Sequence, residues 1–154
     1  MSGNIDARLQ SLGLTLPDAP APAANYVPWV RSGNTVYVSG QISQDAGGLI
    51  TGKLGDGLDV AAGAAAARHC ALSLIAQLKS ACDGDLDRVV RVVKLTGFVN
   101  STPDFTDQPK VVNGCSDLLV EVFGEAGRHA RSAVSAGSLP LGVAVEIEGI
   151  FEVE

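Results

Sequence analysis

The chain has 154 residues, 46% of them hydrophobic, and a formal net charge of −6 with an isoelectric point near 4.8. That length and apolar content suit one compact domain spanning 1–154, which buries roughly 70% of its unfolded surface and needs neither disulfides nor a metal to fold. Its acidity argues against a broad phosphate-binding surface, so nucleic acid is a disfavoured partner. The first residues lack a basic start followed by an apolar core, and no apolar run approaches the roughly 18 residues of a membrane span. The expectation is a cytoplasmic protein with no membrane partner.

In chain order, Ile5, Leu9 and Leu12 fall at helical spacing. They predict a short amphipathic helix over Asn4 to Leu12, capped by Asn4 or Ser2 and ended by Gly13. A Pro/Ala-rich strap follows from Leu16 to Ala24, where Pro17, Pro20 and Pro22 favour extended backbone. Residues 1–24 thus form an extension ahead of a core over 25–154. Tyr26 to Arg31 and Thr35 to Ser39 read as strands joined by Ser32-Gly33-Asn34, a hairpin pattern in which Gly40 ends the second run. The glycine-rich stretch from Gly47 to Gly57 reads as a surface loop and is not a P-loop, because Lys53 is followed by Leu54 and Gly55.

Asp59 to Cys82 is Ala-rich and predicts a long helix with Asp59 as its cap and an apolar face of Ala61, Ala65, Cys70, Leu72, Leu74, Ile75 and Leu78. The β-branched run Val89 to Val93 places an interior strand within Leu86 to Val99. Gln108 to Phe123 carries apolar residues at one-, three- and four-residue steps and predicts a second long helix. Finally, His129 to Val134 and Val143 to Val153 read as two strands joined by a turn at Leu139-Pro140-Leu141-Gly142. Period-two geometry puts Val143, Val145, Ile147, Phe151 and Val153 on one face and Glu146 and Glu148 on the other. Arg131 and these acids are expected to meet at one site. The pattern as a whole specifies an α+β fold: a single sheet with two long helices on one face, the other face covered by an oligomer partner.

The three cysteines, Cys70, Cys82 and Cys115, show no metal-ligand spacing and read as reduced thiols. His69 has no second ligand nearby in sequence, and His129 reads as an ordinary surface residue.

With these elements placed, the chain resembles the RidA/YjgF family, also described as the L-PSP endoribonuclease family, from about Tyr26 to Val153. The resemblance is carried by Asn25-Tyr26-Val27, Val38-Ser39-Gly40-Gln41-Ile42, Phe98-Val99, Asp104-Phe105, Val112-Asn113, Ala130-Arg131-Ser132, Leu139-Pro140 and Val145-Glu146-Ile147-Glu148. It implies a chorismate-mutase-like mixed sheet, a homotrimer with clefts between subunits, and hydrolysis of reactive enamine or imine acids to 2-keto acids and ammonia without a cofactor. It also implies that Arg131 grips the substrate carboxylate and that Glu146 assists water attack, while Tyr26, Ser39, Gly40 and Asn113 line the cleft. The partner is then a small carboxylate-bearing metabolite.

Two features depart from the archetype. Ala133 stands where a cysteine follows the arginine by two residues, and the segment Thr106 to Val112 is longer. On residue types alone, Arg131 and Glu146 also fit an intersubunit ion pair. A non-catalytic keto-acid sensor is the alternative function, and a ribonuclease fits least.

Overall fold

The structure is a computed structural model and describes residues 3–19 and 25–154. Its first helix, α1 (Asn4–Ser11), packs Leu9 into the core and ends at Gly13, where φ is +70°. Asn4 does not cap it, and Ser2 lies outside the described residues: Gly3 is the N-cap, and the first two amides are satisfied from a distance. Asp87 accepts from Asn4 N at 2.8 Å and Ile5 N at 2.9 Å, holding the extension to the core. Leu14 and Leu16 continue the packing, whereas residues 20–24 of the expected strap lie outside the described residues.

The core opens with the expected hairpin, β1 (Trp29–Ser32) and β2 (Thr35–Ile42), turning at Gly33 with φ +62°. Gly40 does not end the second strand. It lies inside β2 at a register shift between Val38 and Gln41. The glycine-rich stretch forms two small ladders, β3 (Gln44–Asp45) with β4 (Gly48–Leu49), and β5 (Lys53–Leu54) with β6 (Gly57–Leu58). It is anchored rather than loose, because Leu54 is fully buried against the helices.

Helix α2 (Val60–Ala81) begins as expected, with Asp59 Oδ1 accepting from Ala62 N at 2.8 Å. Its buried face differs from the expected one. Ala61 and Ala65 are exposed, and Gly63, Ala66, Ala67, Cys70 and Ala71 are buried. The reason is close contact with α3 (Gln108–Phe123): a Cβ on Gly114 would meet the Ala64 backbone, so this seam selects small residues rather than hydrophobic ones.

Between the helices, a 3₁₀ turn over Leu86–Arg88 leads into β7 (Val89–Asn100). After α3 come β8 (Ala130–Ala136) and β9 (Val145–Val153). The five main strands form one mixed sheet in the order β1-β2-β9-β7-β8, with only the β7–β8 pair parallel. Both long helices cover one face, burying Val36, Val38, Leu95, Val99, Val145, Ile147 and Phe151. The α+β expectation therefore holds, including the alternation along β9.

One expectation fails here. β8 and β9 are not a hairpin, because β7 lies between them. The β7-α3-β8 unit requires a parallel return, which sends β8 to the free edge of β7 and leaves residues 137–144 to cross over its end.

Candidate functional site

Arg131 sits on the edge strand β8 in register with Leu95, whose side chain is fully buried beneath the helices. Paired residues share a face of the sheet, so Arg131 projects toward the helix side and reaches along α3. Its Nη1 donates to Asn113 Oδ1 at 2.8 Å and to Ser116 Oγ at 3.1 Å, and its Nη2 donates to the Pro109 carbonyl at 3.4 Å. Every acceptor is neutral. No carboxylate lies within ion-pairing distance of Arg131 among the described residues, so the cation is oriented but not neutralised. It borders an open cleft of ≈ 290 Å³ shared with Asn113, Ser116, Asp117, Arg128 and His129. A fixed guanidinium facing such a cleft is suited to a carboxylate ligand.

Asn113 is exposed at the helix surface rather than set in the apolar stripe, which runs through Val111, Val112, Cys115, Leu118, Leu119 and Val122. Its partner is Arg131. His129 is not an ordinary surface residue. Its Nδ1 is 2.6 Å from the Gly127 carbonyl, which can only accept, so Nδ1 carries the proton. Nε2 then accepts from Ser116 Oγ at 2.9 Å. Burial holds the imidazole below its ordinary value of 6.5, opposed by the Gly127 bond and reinforced by the Arg131 charge. Ser116 belongs to none of the sequence motifs. The signal was its position three residues after Asn113, which puts both on one face of α3.

Glu146 occupies the opposite side of the sheet. It pairs with Phe98 on β7 and Ile42 on β2, while Val145 and Ile147 on either side enter the core. Gly40 lies against it, and the missing side chain is where the Glu146 carboxylate sits. Partial burial raises the Glu146 carboxyl above its ordinary value of 4.5, and the neighbouring Glu148 charge adds to the shift. Ser39, Gly40 and Glu148 border a second open cleft of ≈ 300 Å³ with Pro28, Trp29 and Tyr37. Ser39 Oγ donates to the Pro28 carbonyl at 3.2 Å. Tyr26 is well exposed just ahead of this wall.

The expected site residues therefore fall into two groups on one protomer: Arg131 and Asn113 on the helix side, and Glu146, Gly40 and Ser39 on the open side. Within one protomer Arg131 and Glu146 lie on opposite faces of the sheet and do not meet. Ala133 pairs with Gly97 on the Arg131 face. His69 lines a separate cleft with Leu72 and Asp45. Among the described residues, no three His, Cys, Asp or Glu side chains gather to hold a metal, the three cysteines are free and buried, and no helix is long and apolar enough to cross a membrane.

Residues 6–150 match the family model described as "YjgF/chorismate mutase-like, putative endoribonuclease". The protein TCP17 of Trypanosoma cruzi is 56% identical, with 98% of this chain and 95% of that one covered. The structure of protein Atu1372 from Agrobacterium tumefaciens is 49% identical with a TM-score of 0.91, covering 97% of this chain and 92% of that one. A 2-iminobutanoate/2-iminopropanoate deaminase of Dermatophagoides farinae is 29% identical, covering 92% of this chain and 95% of that one. With its mixed sheet, its paired long helices and a family match over nearly its whole length, the chain belongs to the YjgF/RidA family.

Proposed function

We propose that this chain is a hydrolytic deaminase of reactive 2-enamino or 2-imino acids, releasing 2-keto acids and ammonia. The observation that carries the reading is Arg131: a guanidinium fixed by neutral acceptors, lacking a carboxylate partner among the described residues, and facing a cleft. That arrangement supplies two-point recognition of a substrate carboxylate. The name of the Dermatophagoides farinae relative supports the chemistry. In the reaction, water adds to the imine carbon as Glu146 takes its proton and passes it to the nitrogen, giving a carbinolamine that collapses to the keto acid and ammonia as the remaining hydroxyl proton moves to the departing nitrogen. No cofactor is required.

The working unit in this reading is a homotrimer, in which Arg131 and Asn113 of one copy meet Glu146, Ser39, Gly40 and Tyr26 of the next. Two observations support it. The groups lie on opposite faces of one sheet, so a shared cleft needs a second copy. The open face also carries exposed Val30, Tyr37 and Val134 beside half-buried Phe98 and Ile150, an apolar surface of the kind oligomers cover. Because its cleft is acidic on one side and the chain carries −6 overall, RNA cleavage is the least supported activity of the family description.

The test is a coupled assay with a dehydratase that generates 2-aminoacrylate. Wild type is expected to accelerate keto-acid release and Arg131→Ala to abolish the acceleration. No acceleration by wild type refutes the proposal. The second reading, a keto-acid binding protein, is favoured by one feature: the Arg131 cleft is built without Glu146. Calorimetry showing Arg131-dependent keto-acid binding together with no turnover selects it.

A further inference from the structure

The Arg131 cleft contains a hydroxyl–imidazole pair that neither the resemblance nor the relatives' names assign. Ser116 Oγ and His129 Nε2 are 2.9 Å apart, and the ring is held from behind by the 2.6 Å bond between Nδ1 and the Gly127 carbonyl. The direction of each bond is fixed by chemistry. The Gly127 carbonyl accepts, so Nδ1 donates; Arg131 only donates, so Ser116 Oγ accepts from it at 3.1 Å and gives its own proton to Nε2. This is the geometry of a hydroxyl backed by a base, with the tautomer set by a third group. A purely structural histidine needs no neighbour hydroxyl that also contacts the ligand-gripping cation, and both side chains border the open cleft.

We propose that Ser116 is a catalytic residue of this cleft and that His129, acting through it, is the residue that sets its proton affinity. The inference rests on the deaminase reading and names the group serving its second half. In the first half, water adds to the imine carbon and the nitrogen gains a hydrogen, giving a carbinolamine whose carbon bears OH and NH₂. Collapse requires the hydroxyl to lose a proton as the C=O bond forms, and the nitrogen to gain one as the C–N electron pair leaves with it. Ser116 accepts the hydroxyl proton while passing its own to His129 Nε2. The imidazolium then returns a proton to the departing nitrogen through the same hydroxyl, so ammonia leaves and the pair is restored. A ligand carboxylate on Arg131 puts the adjacent carbon beside Ser116, because the two side chains are bonded to each other. Neutral imidazole is the working form, consistent with the burial that lowers its proton affinity. The charged groups facing it are Arg131 from β8, Asp117 from α3 and Arg128 next to it in sequence, whose carbonyl accepts from Arg91 of β7.

The experiment compares wild type, Ser116→Ala and His129→Gln in two measurements, pyruvate binding by calorimetry and 2-aminoacrylate turnover across pH. Asn113 still holds Arg131 in both variants, so pyruvate affinity is expected to stay within about threefold, while turnover falls about 10²-fold, the usual scale of acid–base assistance. The pyruvate measurement also reports that each variant is folded. Wild type is expected to lose rate on acidification as His129 protonates, the limb lying to the acid side of an ordinary imidazole's because burial disfavours the charged ring, and His129→Gln is expected to lack that limb. Wild-type turnover in His129→Gln, or an affinity loss as large as the turnover loss, overturns the role of the pair and leaves the deaminase reading standing. Absence of turnover in wild type overturns both.

Discussion

Replacing Gly40 with alanine adds one carbon where the structure has placed the Glu146 carboxylate. A Cβ there would lie 2.8 Å from Glu146 Cδ and 2.9 Å from Cγ, with Oε2 nearer still. Carbon atoms in ordinary contact stand about 3.5–4.0 Å apart, so the carboxylate must retreat by on the order of 1 Å. The backbone itself accepts alanine, since Gly40 is not among the positive-φ glycines. Alanine also restricts the unfolded chain, worth about 0.4–1 kcal/mol in favour of folding, which offsets the cost of moving the end of a flexible side chain. The net change in stability is expected within about 1 kcal/mol, or about 2–4 °C in melting temperature for a chain of this size. Activity is expected to respond far more strongly, because a 1 Å displacement of a reacting group costs about 10²-fold. Thermal unfolding, pyruvate calorimetry and the coupled 2-aminoacrylate assay on the same protein separate these effects. Wild-type turnover in Gly40→Ala would refute the claim that Glu146 acts from this position. A fall in melting temperature well beyond about 4 °C would refute the argument that its carboxylate is free to move.

Gly114→Ala should behave in the opposite way, because its Cβ meets the Ala64 backbone, with the Ala64 carbonyl carbon at 2.8 Å and no flexible end to give. A loss of about 1–3 kcal/mol in urea unfolding is expected, and an unchanged midpoint would show that the helix seam is looser than described. Glu146→Gln tests the raised carboxyl. Burial and Glu148 push its folded value above 4.5, so the ionised form costs the folded state at neutral pH, and the cost is gone below the unfolded value. The variant is therefore expected to melt higher than wild type near pH 7 and equally near pH 4; an equal gain at both would locate the effect in packing instead. Val134→Lys places a charge on the open face opposite Phe98, at a site already 43% exposed in the protomer. The protomer itself should tolerate it within about 0.5 kcal/mol, so a lower assembly mass in sedimentation together with lost turnover is expected, and an unchanged mass would refute coverage of this part of the sheet.

Element identity was legible wherever periodicity and end signals agreed. The Asp59 cap, the helix from Gln108 to Phe123 and the alternation from Val145 to Val153 all appear as read. What failed required knowledge of neighbours. Hydropathy ranks Ala61 with Ala66, but only Ala66 is buried, on the side of α2 that one turn later sets Cys70 against the Val145 carbonyl of β9. Asp87 lies more than 80 residues from the amides it satisfies, beyond the reach of any local cap signal. Gly40 read as a strand end because a glycine interrupting a strand and a glycine ending one look alike in sequence; the distinguishing fact is the Glu146 side chain on the next strand. Similarly, His129 carried no meaning until Ser116 and the Gly127 carbonyl were placed around its two nitrogens.

The separation of Arg131 from Glu146 follows from the same limit, and it changes what the family residues imply. Alternation along a strand assigns its residues to two faces, but which of them matches a face of another strand depends on register. Two strands joined directly would bring a cation and an acid side by side only in the matching register. Here β7 intervenes, and its last residue holds the crossover in place: Asn100 N bonds the Ala144 carbonyl at 2.9 Å, and its Nδ2 bonds the Val143 carbonyl at 3.0 Å. Leu141 and Gly142 take positive φ to complete the turn into β9. With β8 fixed at the edge and β9 inside the sheet, the side chains of Arg131 and Glu146 cannot converge without refolding the crossover. On the proposed mechanism, a substrate held by Arg131 meets a Glu146 carboxylate from another copy of the chain, so catalysis by these two residues and assembly through the open face stand or fall together, whereas carboxylate binding by the Arg131 cleft needs neither.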